Sequence, residues 1–151
     1  MNIINVLEIV KMGKEHIEEI ALLEKHCFSN PWSEISLENE LDKDNSCFLV
    51  SLKNGKVMGY IGMNYILDEG YITNIAVFEQ YRRNGVATKL LDNLILVCMN
   101  LKLSFLSLEV RVSNKRAISL YEKFGFENLG RRKNFYTLPK EDAFIMTKYF
   151  K

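Results

Sequence analysis

The stretch Ile72-Thr73-Asn74-Ile75-Ala76-Val77, with Gln80-Tyr81-Arg82-Arg83-Asn84-Gly85-Val86-Ala87-Thr88-Lys89-Leu90-Leu91 close behind it, decides the fold. Ile72 to Val77 is a short apolar run that reads as a strand. A basic, glycine-containing turn follows, and helical spacing sets in from Val86 to about Leu101. Strand, tight basic turn and helix start together make an anion site. The first N–H groups of a helix lack internal acceptors, and the helix dipole adds positive charge there. Gly85 lets the backbone approach an anion, and Arg82 and Arg83 add charged donors. The turn is not a P-loop, because it lacks the G-x-x-x-x-G-K-[ST] spacing, and it lacks the three glycines of a dinucleotide fingerprint. Taken alone, it fits a capped helix with two solvated arginines equally well.

Upstream of this core, residues 3–10 read as a first strand. Lys14 to Phe28 has helical spacing through Ile17, Ile20, Ala21 and Cys27, with Glu24 as the polar exception on that stripe. Asn30-Pro31 breaks the helix, and Ser33 can cap a short second one running to about Leu41. Cys47–Leu52 and Val57–Ile66 read as strands joined by Asn54-Gly55, a strong hairpin signal. Asp68-Glu69-Gly70 then predicts a turn before the Tyr71–Val77 strand.

Downstream, the helix from Val86 carries Ala87, Leu90, Leu91, Leu94, Ile95 and Cys98 on one face. Phe105–Val112 is the next strand. A helix capped by Ser113 or Asn114 follows, with Ala117, Leu120, Tyr121 and Phe124 as its stripe and Gly125 in the C′ position. Two strands, about Phe126–Arg132 and Phe144–Tyr149, finish the chain. The order predicts an α/β protein with a mixed, mostly antiparallel central sheet and helices on both faces. Two of the later connections are helical crossovers, so part of the sheet is expected to be parallel.

The length of 151 residues predicts a single domain, 1–151, large enough for a real core. A net charge of +1 gives no global pull toward nucleic acid or an anionic membrane. The three cysteines, Cys27, Cys47 and Cys98, are odd in number and form no C-x-x-C pair, so free thiols in a reducing compartment are the simplest account. Residues 1–10 lack a basic flank and a continuous apolar core, so they do not read as a signal peptide. Leu90–Leu101 contains Asp92, Asn93 and Asn100 and is too short to cross a bilayer. A cytoplasmic protein is the expectation. His16 and His26 read as surface residues, Glu18-Glu19 as a solvated helix face, and no metal site is suggested.

Several motifs in order carry a family resemblance. Arg82-x-x-Gly85-x-Ala87 resembles the pyrophosphate segment [QR]-x-x-G-x-[GA] of the GCN5-related N-acetyltransferases (GNAT). Leu108-Glu109-Val110-Arg111-Val112-Ser113-Asn114, then A-x-x-L-Y-x-x-x-G-F at Ala117–Phe126, resembles that family's RimI-type, ribosomal-protein-alanine branch. Phe28-Ser29-Asn30-Pro31-Trp32-Ser33 and Asn74-Ile75-Ala76-Val77 resemble two more of its segments. The resemblance runs from about Phe28 to Met146. It implies the GNAT fold and acetyl-CoA as co-substrate with no metal. The implied partner is a protein N-terminal peptide, with no nucleic acid and no membrane. The implied reaction is direct acetyl transfer to the α-amine, foremost of the N-terminal alanine of a small-subunit ribosomal protein. A small-molecule amine or an internal lysine as acceptor, and a non-catalytic acyl-CoA-binding module, are the alternatives.

The resemblance also assigns residues. Glu109 is the expected general base, since an α-amine of pKa ~7.7–8.0 is largely ammonium at neutral pH. Strand alternation puts Glu109 on the face of Ser107 and Arg111, where a salt pair with Arg111 is the plainer reading. Tyr121 is the expected general acid, although its place on the apolar stripe also suits packing. Main-chain groups of Ile75, Ala76 and Val77 are expected along the pantetheine arm and acetyl carbonyl, with the Val77 N–H as oxyanion donor. Arg83, Asn84, Gly85, Val86, Ala87 and Thr88 are expected around the pyrophosphate, and Asn114 against the pantetheine or nucleotide. Trp32 and Tyr136 are candidates for the acceptor site. Phe135 stands where many members have tyrosine, and Asn84 where arginine is frequent.

Overall fold

The structure is a computed structural model, and it describes residues 7–150. Residues 3–6 of the expected first strand lie outside that range. The strands are β1 (Leu7–Lys11), β2 (Ser46–Lys53), β3 (Lys56–Ile66), β4 (Glu69–Val77), β5 (Phe105–Arg111), β6 (Glu127–Thr137) and β7 (Lys140–Tyr149). The helices are α1 (Ile17–Cys27), α2 (Glu34–Leu41), α3 (Val86–Asn100) and α4 (Lys115–Lys123). The strands form one sheet in the order β1-β2-β3-β4-β5-β7-β6. Every neighbouring pair is antiparallel except β4–β5.

Local chemistry explains most joints. Asn54 (φ 53) and Gly55 (φ 79) are both left-handed, as a two-residue turn between twisted strands requires. Ser33 accepts from the Ser36 N–H at 3.1 Å and starts α2. The C-terminus of α4 is a Schellman motif. Phe126 N–H donates to Tyr121 O and Gly125 N–H to Glu122 O, both at 3.0 Å, with Gly125 at φ 87. Lys148 Nζ adds a bond to Phe124 O at 2.7 Å, a cation on the negative end of the helix.

Each face of the sheet has its own core. On one, α3 and α4 bury Leu90, Leu91, Leu94, Cys98 and Tyr121 against Ile61, Met63, Leu106, Leu108 and Met146. On the other, α1 and α2 bury Ile20, Leu23 and Leu37 against Phe48, Val50 and Tyr60. Bulges adjust which face a residue meets. Asn74 pairs with Gly62 and Ile72 with Met63, so Thr73 is an extra residue in β4. Ile72 therefore faces α3 while Ala76 faces α1. No helix among the described residues is long and apolar enough to cross a membrane.

The expected parallel part of the sheet is β4–β5, joined through α3. Other expectations need correction. Strand β7 slots between β5 and β6 and pairs antiparallel with both, because the β6–β7 hairpin folds back onto β5. That hairpin is longer than expected, its polar strand β6 standing at the sheet edge with most side chains exposed. Glu69 and Gly70 belong to β4, since Glu69 already pairs with Ile66 and Phe105. His16 is buried, its Nδ1 accepting the Gly13 N–H at 2.9 Å. Glu19 is half-buried and accepts the Val57 N–H at 3.1 Å, so it caps the start of β3 instead of facing solvent.

Candidate active site

The site begins where the parallel ladder stops. Strand β4 pairs with β5 only through Glu69–Phe105, Gly70–Leu106 and Tyr71–Ser107. Beyond those rungs β4 runs on to Val77 and β5 to Arg111 without partnering each other, which opens the sheet. The Phe78 N–H donates to Met58 O at 2.9 Å. Antiparallel pairs alternate in phase, so Ile75 and Val77 turn their N–H groups away from β3 and toward the opening.

The turn after β4 leads directly into α3. Arg83 (φ 68) and Gly85 (φ 77) are left-handed on either side of Asn84, a backbone arrangement that gathers N–H groups into an anion-binding concavity. Among the described residues, no acceptor takes the N–H groups of Arg83, Asn84, Gly85, Val86, Ala87 and Thr88; the first such bond of the helix is Lys89 N–H to Gly85 O at 3.0 Å. A Cβ built on Gly85 would meet nothing within 4 Å, so the space above the turn is open. Arg82 differs from its expected role. Its Nε donates to Val77 O at 3.2 Å and its Nη2 reaches Cys27 Sγ at 3.4 Å, so it braces the turn against β4 and α1. Asn114 is the cap of α4, its Oδ1 accepting the Ala117 N–H at 3.2 Å, which leaves its amide NH2 for another partner.

The candidate chemistry-bearing side chains come from β5, α4 and β6. Leu106, Leu108 and Val110 face α3 and α4, so Glu109 projects from the opposite side of β5. Its partner is not Arg111. Glu109 Oε2 lies 3.4 Å from Arg132 Nε across the hairpin, and Arg111 Nη1 pairs with Glu141 Oε1 at 3.2 Å. Tyr121 comes from the other layer and is 4% exposed, its ring 5.6 Å from that of Phe126. Burial, with a smaller contribution from Tyr136, pushes the Tyr121 phenol well above its ordinary pKa. Burial also raises Tyr136; Arg111 opposes that shift, and Glu109 and Glu141 add to it. Tyr136 thus lies within electrostatic reach of both Glu109 and Tyr121.

The loops flanking the opening are tied together. Arg111 sits 4.1 Å over the Tyr136 ring, and its two terminal nitrogens donate to Pro139 O at 2.9 Å and Leu138 O at 3.1 Å. Leu138 O also accepts from the Ser29 hydroxyl of the α1–α2 loop. Trp32, half-buried in that loop, packs on Phe48 at 5.9 Å. Phe135 is 44% exposed and packs edge-on against Tyr136. Little in the spacing of residues marks Arg111 as the tie between β5 and the hairpin tip, because the carbonyls it holds are Leu138 and Pro139, far along the chain.

Comparison with known proteins agrees with this architecture. The acetyltransferase (GNAT) family model matches residues 17–126. An Escherichia coli K12 protein named [ribosomal protein bS18]-alanine N-acetyltransferase is 38% identical over 149 residues, 97% of this chain and 96% of that protein. A Bacillus subtilis protein named as a candidate for the same activity is 39% identical over 136 residues, 89% of this chain and 90% of that one. The crystal structure of the E. coli ribosomal-protein-S18-alanine N-acetyltransferase superposes with a TM-score of 0.89 at 31% identity, covering 97% of this chain and 95% of that one. With a family model spanning most of its length and relatives alike nearly end to end, this chain belongs to the GNAT family of N-acetyltransferases.

Proposed function

We propose that this protein transfers the acetyl group of acetyl-CoA to the α-amine of a protein N-terminus, foremost the N-terminal alanine of a ribosomal protein, in the cytoplasm. The observation that carries the reading is the row of free N–H groups from Arg83 to Thr88, at the mouth of an opened sheet that Glu109 and Tyr121 approach from its two sides. The acceptor is the one in the names of the relatives that match almost the whole chain.

The residues present fit acetyl-CoA. The N–H row and the positive end of α3 suit a pyrophosphate. The edge of β4 that β5 leaves without a partner, where Ile75 and Val77 turn their N–H groups outward on either side of Ala76, suits an amide-bearing arm, and the Asn114 NH2 is free to bind it. Bound there, acetyl-CoA supplies an activated thioester. The Val77 N–H, turned away from β3, would stabilise the oxyanion that develops on the acetyl oxygen. Glu109, directly or through a water, takes the proton from the acceptor ammonium. Tyr121, kept protonated by burial, gives its proton to the departing sulfur.

Direct transfer is favoured over a cysteine intermediate. Burial raises the pKa of Cys27 and of Cys47 and pushes Cys98 up to about 12, so none is poised as a thiolate.

The test is acetyl-CoA turnover against a panel: peptides with free N-termini, including a ribosomal alanine N-terminus, a lysine peptide with a blocked N-terminus, and a polyamine. Selective turnover of free N-termini is expected. Turnover confined to the lysine peptide or the polyamine would overturn the acceptor assignment. Cell function unchanged in Glu109→Gln and Tyr121→Phe, but lost in Arg83→Ala, would indicate a non-catalytic acyl-CoA-binding module.

A further inference from the structure

Glu24 is the most deeply buried carboxylate described, at 1% exposure, and the reaction above does not use it. No lysine, arginine or histidine pairs with it among the described residues. Three hydrogen bonds stand in for a counter-ion. Oε1 accepts the Trp32 backbone N–H at 2.9 Å, and Oε2 accepts the Tyr60 hydroxyl at 2.6 Å and Asn74 Nδ2 at 3.4 Å. A carboxylate is retained in such a place only when every bond is made, because an unmade one leaves a buried charge uncompensated.

The three partners do not depend on Glu24 equally. Tyr60 and Asn74 are also held by the sheet, Tyr60 opposite Ala76 and Asn74 opposite Gly62. Trp32 lies in the α1–α2 loop, outside any strand or helix. Among the described residues its backbone N–H has no other acceptor, and Phe28 at the start of the loop is held by the Glu24 main-chain oxygen at 2.9 Å.

We infer that Glu24 is a positioning residue for the acceptor side of the site, its carboxylate fixing the loop that presents Trp32. The inference rests on the proposed N-terminal acceptor, and the two oxygens divide the carboxylate's work: Oε1 holds the loop and Oε2 holds the sheet-bound partners. A glutamine at 24 keeps an oxygen for the Trp32 N–H; its NH2 replaces Oε2 and gives up the bond from Asn74 Nδ2, a residue the sheet holds in any case. A methionine keeps the shape and loses the acceptor.

The experiment compares Glu24→Gln and Glu24→Met with the wild type in two readouts. The first is hydrogen exchange at the Trp32 amide, aided by emission from Trp32, the only tryptophan. The second is the KM for an N-terminal acceptor peptide against the KM for acetyl-CoA. Protection of the amide is expected in wild type and Glu24→Gln and lost in Glu24→Met. The acceptor KM should rise about tenfold in Glu24→Met, with the acetyl-CoA KM within about twofold and Glu24→Gln near wild type. Protection retained in Glu24→Met overturns the inference. So does a freed amide with an unchanged acceptor KM, or an equal rise in both KM values. If the folded wild type acetylates no N-terminal peptide, the proposed function fails first, and amide exchange still decides whether Glu24 holds the loop. A Glu24→Met protein that does not fold leaves Tyr60→Phe and Glu24→Gln for comparison: acceptor KM must then stay near wild type in both, since each keeps the Trp32 bond, and a large rise in either overturns the inference.

Discussion

At the residue scale, the two proposed catalytic groups sit in opposite environments. Glu109 is half-exposed, with the Arg132 guanidinium 3.4 Å away. Tyr121 is buried, which favours the neutral phenol. Tyr121→Phe should therefore lower kcat by about 10²-fold or more while acetyl-CoA affinity, measured by calorimetry, changes little. Equal losses in binding and turnover would assign Tyr121 to packing alone. The sequence shows both residue types at their motif positions. It does not show that Glu109 would pair with Arg132 and not Arg111, because that choice depends on how the β6–β7 hairpin lies over β5.

At the element scale, the site depends on a strand that stops pairing and a helix that starts without acceptors. Gly85 marks the second feature. Its φ of 77 costs an L-residue about 1 kcal/mol or more, although a Cβ would meet open space. Gly85→Ala should therefore lower unfolding stability modestly, by about 1 kcal/mol in urea titrations. Its effect on acetyl-CoA binding should be larger, about tenfold or more by calorimetry, because the methyl occupies the approach to the free N–H groups. An affinity unchanged while stability falls would move the pyrophosphate elsewhere. The turn, the helix and the glycine were all legible in residues 80–91. The opening between β4 and β5 was not, since strand periodicity reports which face is buried and not which neighbour a strand leaves.

At the scale of the whole molecule, the two cores bind the layers across one sheet, and each holds a buried tyrosine. Burial raises Tyr121 on the α3–α4 side; burial, with the Glu24 charge and hydrogen bond, raises Tyr60 on the α1–α2 side. A folded pKa above the unfolded value of about 10 means that the native state keeps protons the unfolded chain has released. The stabilisation is complete below pH ~10 and falls as pH rises from there through the folded pKa values. Unfolding monitored by circular dichroism should show a steep loss of stability above pH ~10, shallower in Tyr121→Phe, which has no phenol to titrate. Equal slopes in the two proteins would mean that the Tyr121 hydroxyl reaches water.

What the sequence determined by itself was local: helical and strand periods, the Asn54-Gly55 turn, the Ser33 and Asn114 caps, the Gly125 stop and the order of the family motifs. Each depends on residues a few positions apart, where backbone conformation and nearest-neighbour hydrogen bonds decide the outcome. Tertiary structure alone decided that β7 would lie between β5 and β6, that His16 would be buried, that Glu24 would meet Tyr60 and Asn74, and that Arg111 would hold the hairpin tip. Those outcomes depend on partners tens of residues away. A buried charge or a strand edge is settled by which groups the folded chain brings to it, and no spacing along the chain records that.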